Sequence, residues 1–396
     1  MLGIKYFPEN LKVENKTIIL RVDFNVPIEN NEIKDSTRII SVIPFLEYLI
    51  KKKAKIIILS HLGRPKGKKE KALSLMPIFK MLKEKIKTNI YFYTGEINEE
   101  TKTKCSLLKP TDILLMENIR FFKEETENDE NFSKKLAELG EVYINNAFSC
   151  SHRKEASIHN ITKFIKESYA GPLIKKELDA IDSVIKNKKT PITCIVGGSK
   201  ISTKIHIFSN LIKNTNNIIV VGAMANNFIL HKGLEVGKSL VEKNSNKIIE
   251  ELYLNAEKYK CNIVVPVDFL VSKTFEGEAV SRSSNEIKKD EIILDIGPRT
   301  IKIIDKLIDG SNTVLWNGPA GYFENLNFAI GTNSIAKKIS ENTIGKSLTS
   351  ILGGGDTVSA IKGSKLNLSF THLSTAGGAF LEYLEGKDLP GLSVLK

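Results

Sequence analysis

The sequence predicts an α/β protein with two domains, each a parallel sheet with helices on both faces. Short, continuously apolar runs alternate with helix-like segments in both halves of the chain, and such strands are typical of parallel sheets covered on both faces. The alternation pauses before residue 190 and then restarts. A chain of 396 residues is also longer than one hydrophobic core usually supports.

The first half contains the strand candidates in their simplest form. They read TIILRVDF (17–24), KIIILS (55–60), NIYFYT (89–94), DILLMEN (112–118) and EVYINNAF (141–148). Helix-like segments are predicted at 35–52, with Asp35 or Ser36 as the N-cap, and at 73–86 and 131–139. Pro27 is expected to limit the first strand.

Charged and polar residues follow four of these strands. Because ligands of open parallel sheets bind beyond the carboxyl ends of the strands, we expect these residues to form one site. One arginine at a strand end is usually a surface charge, but several at corresponding ends favour a site for a small, multiply charged anion. The set is Asp23, Asn25, His61, Arg64, Arg120, His152 and Arg153, with Arg38 at the start of the first helix.

The second half is predicted to supply a nucleotide site. Residues 173–185 form an amphipathic connecting helix after Gly171-Pro172. Nearly every later strand-like run ends in glycine, and few arginines follow, so this half offers backbone N–H groups in place of side-chain charge. The runs are ITCIVGG, NNIIVVGAM, NIVVPVDFLV, EIILDIGP, TVLWNGPAGYFE, SLTSILGGGDT and LSFTHLSTAGG.

The segment Ile351–Thr357 (ILGGGDT) carries the strongest phosphate signal. A strand, three glycines and a helix start let backbone N–H groups approach an anion. Asp356 would repel a phosphate unless a cation lies between them, which suggests a Mg²⁺-bound nucleotide. The alternative is a tight turn capped by Asp356 or Thr357.

Composition excludes several other classes. Four scattered cysteines without a CxxC pair indicate reduced thiols and predict neither disulfides nor a zinc site. The N-terminal stretch is polar and no apolar run is long enough to span a membrane, so a cytoplasmic protein is expected. The net charge of +12 comes mostly from dispersed lysines without aromatic-basic clusters, so nucleic-acid binding is not expected. Residues 233–239 (GLEVGKS) are one residue short of a P-loop and do not follow a strand.

Nine motifs in chain order resemble the phosphoglycerate kinases: RVDFNVP, SHLGRP, ENIRF, HRKEAS, GGSKISTK, DIGP, WNGPAGYFE, GGGDT and STAGGAFLEYLEGKDLPG. The resemblance implies two Rossmann-like domains separated by an active-site cleft, and a monomer. It implies reversible phosphoryl transfer from 1,3-bisphosphoglycerate to Mg-ADP, giving 3-phosphoglycerate and Mg-ATP.

The resemblance also implies a division of the chain. Residues 1–170 would bind 3-phosphoglycerate or 1,3-bisphosphoglycerate, residues 171–190 would form the interdomain helix and hinge, and residues 191–383 would bind nucleotide. Residues 384–396 would return to the first domain.

Residue roles follow from matching the motifs. Asp23, Phe24 and Asn25 would bind the glycerate part. The other implied substrate residues are Arg38, His61, Leu62, Gly63, Arg64, Arg120 and Arg153. The implied nucleotide residues are Gly198, Lys204, Asn317, Glu324, Gly354, Gly355, Asp356 and Thr357, with Asp356 as the Mg²⁺ ligand. Gly377 and Gly378 would offer N–H groups to a phosphate, and Arg38, Lys204 and Lys200 would act in the transfer.

The expected chemistry needs no strong general base, because the acceptor is a carboxylate or a nucleotide phosphate. Catalysis would come from positioning and charge compensation. Arg38 and Lys204 would neutralise the transferring group from opposite domains once the domains close and exclude water.

Three loops depart from the family pattern. Residues 146–153 read NAFSCSHR in place of DAFGTAHR, so Asn146, Ser149 and Cys150 alter the loop that carries Arg153. Val221 and Ala223 replace glycines of GGGM, and Ala376, which is expected to resist positive φ, replaces a glycine of STGGG. Two alternatives therefore stay open: a phosphotransferase for another small acid, and a catalytically silent relative that binds nucleotide or polyanion.

Overall fold

The computed structural model describes residues 3–186 and 189–396. The chain divides into two compact units, Met1–Leu178 with Asp388–Lys396, and Asp179–Lys387. Asn187 and Lys188, within the predicted hinge 171–190, lie outside the described residues.

The first unit is built on a six-stranded parallel sheet. The strands of the whole unit are β1 (Thr17–Arg21), β2 (Ile28–Glu29), β3 (Glu32–Ile33), β4 (Lys55–Leu59), β5 (Ile90–Tyr93), β6 (Ile113–Met116), β7 (Val142–Asn145) and β8 (Glu167–Ala170). The sheet order is β5-β6-β4-β1-β7-β8, and β2 pairs with β3 in a separate hairpin. The helices are α1 (Thr37–Lys51), α2 (Met76–Lys85), α3 (Glu99–Ser106), α4 (Lys123–Glu127), α5 (Glu130–Ala137) and α6 (Pro172–Ile185), within which the two units divide.

Apolar strands hold this sheet together. Four of the five residues of β1 and of β4 are buried, and they pack with α1 and α2 in one core. The first strand ends at Arg21, earlier than the predicted 24, so Asp23 lies in the loop beyond it. β8 was not predicted. Ser36 is the N-cap of α1 and makes no side-chain cap hydrogen bond, whereas Oδ1 of the preceding Asp35 accepts from Thr37 N at 3.0 Å.

The C-terminal residues belong to the first unit. A last helix, Pro390–Ser393, follows Asp388, where the chain rejoins this unit. Lys5 N donates to Leu395 O at 2.7 Å, and Gly391 N donates to Ser151 O at 2.8 Å. The last residues therefore pack beside the loop that follows β7.

The second unit contains another six-stranded parallel sheet. Its strands are β9 (Ile192–Val196), β10 (Asn217–Val220), β11 (Asn262–Val264), β15 (Thr313–Asn317), β16 (Thr349–Leu352) and β17 (His372–Leu373), in the order β11-β10-β9-β15-β16-β17. The helices are α7 (Ile205–Ile212), α8 (Ala225–His231), α9 (Asn246–Tyr259), α10 (Pro298–Asp309), α11 (Ile330–Gly345), α12 (Gly355–Gly363) and α13 (Gly378–Leu384).

A three-stranded antiparallel sheet in this unit corrects the sequence prediction. The strands β12 (Asp268–Ser272), β13 (Val280–Ser283) and β14 (Ile292–Ile296) pair in the order β13-β12-β14. The apolar run around Pro266 is thus two strands in two sheets, because proline cannot continue a ladder of hydrogen bonds. The run before Gly297 likewise does not extend the parallel sheet.

Within the described residues, no helix is both long and apolar enough to cross a bilayer.

Candidate active site

The arginines of the first unit are concentrated at one edge of its sheet. Residues 1–178 contain five arginines, and all lie on or just after the strands β1, β4, β6 and β7 or in the first turn of α1. These four strands are neighbours, so their carboxyl ends meet at one edge. The arginines are Arg21, Arg38, Arg64, Arg120 and Arg153. We call them the arginine cluster.

Asp23 and Asn25 anchor Arg38 in this cluster. Arg38 Nη1 lies 3.0 Å from Asp23 Oδ2 and donates to Asn25 O at 2.7 Å. Asn25 Oδ1 accepts from Gly63 N at 2.9 Å, which joins the loops after β1 and β4. Asp23 also accepts a hydrogen bond from Ser149 Oγ. The structure thus brings these predicted residues together through a carboxylate and an amide.

A buried acid holds two further arginines. Arg120 Nη2 lies 2.7 Å from Glu155 Oε1, and Arg153 Nη1 lies 3.7 Å from the same atom. Arg120 Nη1 donates to Gly63 O at 2.9 Å. Because Arg120 and Glu155 are both buried, removing one partner would leave an uncompensated charge. Arg153 also contacts its neighbour, with Nε 3.2 Å from His152 Nε2.

His61 is buried within the cluster and stays neutral. Burial lowers its pKa well below the usual range, and the positive charges of the surrounding arginines lower that pKa further. A neutral imidazole carries one donor and one acceptor nitrogen.

The remaining predicted residues of this unit differ in exposure. The side chains of Phe24 and Leu62 are buried in the hydrophobic core, so only their backbone atoms can face a ligand. Gly63 has a φ of +63°, a conformation that favours glycine. Arg64 is exposed and makes no hydrogen bond or ion pair within the described part of the chain. It is therefore available to an incoming anion.

The second unit has a cavity of about 500 Å³ at the carboxyl ends of its strands. Among the predicted nucleotide residues, Gly198, Glu324 and Asp356 line it. The other walls are largely apolar, including Leu240, Phe269, Ile293 and Tyr322. A mostly apolar cavity with a few polar groups at one end suits a nucleotide base and sugar.

Lys204 follows β9 and its glycine loop in the chain, and its side chain reaches the carboxyl end of β15. Its Nζ is 2.6 Å from Asn317 Oδ1 and also donates to Gly197 O. Gly198, in that loop, has a φ of +133°, a backbone conformation that favours glycine. Burial lowers the pKa of Lys204 to about 8, and the charge of Asp356 acts in the opposite direction.

The glycine turn after β16 contacts the same group of residues. Asn317 Nδ2 donates to Gly353 O at 2.7 Å, and Thr357 Oγ1 accepts from Gly318 N at 2.7 Å. Gly354, with a φ of +102°, is the N-cap of α12 and provides no side-chain cap. The first N–H groups of α12 therefore have no intrahelical partner and can bind an anion. Thr357 is fully buried, whereas Gly355 and Asp356 are exposed.

Three predicted residues are not part of these contacts. Lys200 is exposed, and its side chain does not join the Lys204–Asn317 pair. Gly377, with a φ of +57°, and Gly378 begin α13, but they do not line the cavity.

The loops that depart from the family pattern adopt ordinary backbone conformations. Ser149, Ala223 and Ala376 all lie outside the positive-φ region. The expected strain at Ala376 therefore does not arise. Ser149 adds the hydrogen bond to Asp23, and Cys150 is a buried free thiol.

Sequence reasoning missed four residues that support the site. Arg21 is fully buried, and Glu155 pairs with three arginines. Asn118 donates to Leu62 O at 2.7 Å, and Ser149 donates to Asp23. Arg21, Asn118 and Glu155 lie within the motifs that resemble the family, and this position could have indicated that they support the site. Their partners depend on the order of the strands.

Comparisons with known proteins give one consistent result. A family model described as phosphoglycerate kinase matches residues 9–387. The phosphoglycerate kinase of Wolbachia pipientis wMel is 44% identical over 390 residues, which cover 98% of each chain. That of a Chelativorans strain is 39% identical and covers 100% of each.

Solved structures agree with these sequence matches. Phosphoglycerate kinase from Coxiella burnetii has a TM-score of 0.90 and 36% identity, covering 98% of this chain and 97% of that one. The Pyrococcus horikoshii enzyme has a TM-score of 0.82 and 28% identity, with 98% of each chain covered. The two-domain α/β fold predicted from the sequence is therefore confirmed. The chain belongs to the phosphoglycerate kinase family, whose members are phosphotransferases with a carboxyl group as acceptor.

Proposed function

We propose that this chain transfers a phosphoryl group reversibly between 1,3-bisphosphoglycerate and ADP, giving 3-phosphoglycerate and ATP, with Mg²⁺ bound together with the nucleotide. The observation that carries the proposal is the arginine cluster. Four of its guanidinium groups, at one sheet edge, suit a small ligand that bears both a phosphate and a carboxylate, and the fifth, that of Arg21, is fully buried.

We assign the first unit to the glycerate substrate. Arg64 is exposed and Arg38 is partly exposed, so both can contact its anionic groups. Asp23 can accept a hydrogen bond from its hydroxyl, and the side-chain N–H groups of Asn25 can donate to it. His61, Arg120 and Arg153 complete the group, with Arg120 and Arg153 oriented by Glu155.

We assign the second unit to ADP or ATP. The cavity lined by Gly198 and Glu324 would hold the base and sugar. The N-terminus of α12, beginning at Gly354, would bind phosphate oxygens. Gly377 and Gly378 are proposed as further N–H donors to a phosphate. Asn317 positions Lys204 towards the same loops.

Asp356 is the residue that fits Mg²⁺. Its carboxylate is exposed in the first turn of α12 and lines the cavity. Mg²⁺ is commonly held by one or two carboxylates together with substrate phosphates and water. When bound, the ion would neutralise charge on the nucleotide phosphates.

The protein's own part in the transfer is alignment and charge compensation. Arg38 and Lys204 would contact the equatorial oxygens of the transferring group, with Lys200 nearby. Since the two substrates are assigned to different units, we propose that closure of the units accompanies turnover, with 171–190 as the hinge. The functional domains would be 1–170 and 191–383, with 384–396 returning to the first.

The test is ATP-dependent phosphorylation of 3-phosphoglycerate, coupled to NADH oxidation, with and without Mg²⁺. We expect robust turnover only with Mg²⁺. Turnover with another phosphorylated acid but not with 3-phosphoglycerate would instead identify a different phosphotransferase.

Two further measurements address the silent-relative alternative. Thermal stabilisation by ADP without any turnover would favour a protein that only binds nucleotide. A steep loss of polyanion binding with salt would indicate many phosphate contacts.

The proposed monomeric state and the lack of a nucleic-acid partner are tested by light scattering with and without added RNA.

A further inference from the structure

The Nδ1 atom of His61 faces a buried guanidinium. Arg21 Nη2 lies 3.2 Å from His61 Nδ1, and Arg21 is fully buried. Cys150 Sγ lies 3.8 Å from the same nitrogen. The strand β1 therefore presents a charged donor to one edge of the imidazole.

This contact determines which ring nitrogen carries the hydrogen. A guanidinium has only donors and keeps its charge at all ordinary pH values. Nδ1 must therefore accept the hydrogen bond with its lone pair. In a neutral imidazole the hydrogen then resides on Nε2.

Arg21 is held too firmly to leave this position. Its Nε donates to Ser157 Oγ at 2.9 Å, and its Nη1 donates to Val22 O. Ser157 Oγ in turn donates to the buried Glu125 Oε1 at 2.6 Å. Arg21 Nη2 also lies 3.8 Å from Glu155 Oε2, so charge and hydrogen bonds both fix the guanidinium.

The opposite edge of the ring points towards the substrate-binding side. His61 Nε2 lies 4.0 Å from Asp23 Oδ1, which is longer than a hydrogen bond. Asp23 already accepts from Asn25 N at 2.9 Å and pairs with Arg38. Asp23 therefore does not accept a hydrogen bond from His61 Nε2.

We propose that Arg21 is a positioning residue that fixes His61 as the neutral tautomer with its hydrogen on Nε2, so that this N–H can donate to an anionic oxygen of the substrate. The inference rests on the proposed function, which supplies that oxygen. Arg21 itself would act only through His61.

The neighbouring charges support the neutral state over a wide pH range. His61 faces Arg21, Asp23 and Cys150 directly, and the charges of Arg38, Arg120 and Arg153 also act on it. Burial and the four arginines lower its pKa. Asp23 is the acid that faces the ring, with Oδ1 4.0 Å from Nε2. An added proton on Nδ1 would also point at the Arg21 N–H.

The first test is ¹⁵N NMR of the intact protein with labelled histidine, from pH 5 to 8. His61, assigned by comparison with His61→Gln, is expected to show a protonated Nε2 and an unprotonated Nδ1 throughout. A hydrogen on Nδ1, or conversion to imidazolium near pH 6.5, would overturn the proposal. The spectrum requires no activity, so it decides the point even if the chain does not turn over.

The second test separates positioning from mere structural support. A glutamine side-chain amide can place a donor near the Nε2 position, whereas asparagine reaches only to Nδ1. We expect His61→Gln to keep the KM for 3-phosphoglycerate within about threefold and His61→Asn to raise it by about tenfold or more. Equal effects of the two variants would argue against an Nε2 donor.

Arg21→Met is then combined with His61→Gln. Alone, Arg21→Met is expected to raise the KM for 3-phosphoglycerate about fivefold. In the His61→Gln background the same substitution should raise this KM less than twofold, because the effects of substituting two residues that act through each other are not additive. Additive effects would mean that Arg21 only supports the fold. Circular dichroism and ADP-induced stabilisation control for folding, and if Arg21→Met does not fold, the NMR result decides.

Discussion

Lys204 Nζ lies 2.6 Å from Asn317 Oδ1, which ties an ammonium group after β9 to the carboxyl end of β15. The same asparagine donates to Gly353 O in the glycine turn after β16. One amide therefore sets the position of a cation relative to the N-terminus of α12. This arrangement places a positive charge beside the glycine turn to which we assign a nucleotide phosphate under the proposed function.

Replacing Lys204 by alanine should impair turnover more than nucleotide binding. A donor aimed at the transferring group stabilises the transition state, so we expect kcat to fall by about 100-fold or more. The Kd for ADP, measured by calorimetry, should rise by less than about tenfold. Lys232→Ala, on the same unit, is the control. Unchanged turnover in Lys204→Ala would remove this lysine from the mechanism.

The pKa of Lys204 predicts a pH limit on nucleotide binding. Because burial lowers this pKa from 10.5 to about 8, the free protein loses the positive charge as pH rises through 8. ADP affinity should therefore weaken above pH 8, and Lys204→Arg, which stays charged, should lack this loss. The unfavourable effect of burying the cation on stability is fully present below pH 8 and is relieved between 8 and 10.5. Constant ADP affinity up to pH 9.5 in the wild type would contradict this assignment.

Arg64→Ala should affect only the glycerate side. Arg64 is exposed and has no partner among the described residues, so its loss should leave the melting temperature unchanged. A lost charge-assisted contact should raise the KM for 3-phosphoglycerate by about tenfold. Arg299→Ala on the second unit is the matched control. An effect confined to the KM for ATP would refute the assignment of the arginine cluster.

Gly354→Ala should damage the phosphate turn. At a φ of +102° an alanine is strained, and its Cβ would lie 2.4 Å from Asn317 Nδ2. We expect ADP affinity to fall by about tenfold, since about 1–3 kcal/mol of strain displaces the loop. Gly345→Ala is the control, because a Cβ there meets no atom within 4 Å. Equal ADP affinities in the two variants would show that this turn does not contact the nucleotide.

Asp356→Asn should weaken the dependence of nucleotide binding on Mg²⁺. In the wild type, calorimetry with ADP should show tighter binding when Mg²⁺ is added. In Asp356→Asn this gain should largely disappear, because an amide is a poorer ligand for a hard cation than a carboxylate. Glu257→Gln, an exposed acid on α9, controls for general charge. A full Mg²⁺ effect in Asp356→Asn would assign the ion to another ligand.

Several features of the site were predictable because they depend on local sequence. Apolar runs identified β1, β4, β6 and β7. The charged and polar residues after these strands identified most of the arginine cluster. The glycine triplet at 353–355 identified the turn at Gly354, whose φ is positive. Other features depend on distant partners: Pro266 was recognised as a break, but the assignment of β12 to an antiparallel sheet requires the pairing with β13 and β14.

The sequence by itself determined the family, the strands of the two parallel sheets other than β8, and which chemical groups follow those strands. Only the tertiary structure decided that β1 lies between β4 and β7. That order places Arg21 against His61, and Ser149 against Asp23. The physical reason is that burial and hydrogen-bond partners are set by neighbours in space, whereas propensity and turn chemistry are set by neighbours in sequence.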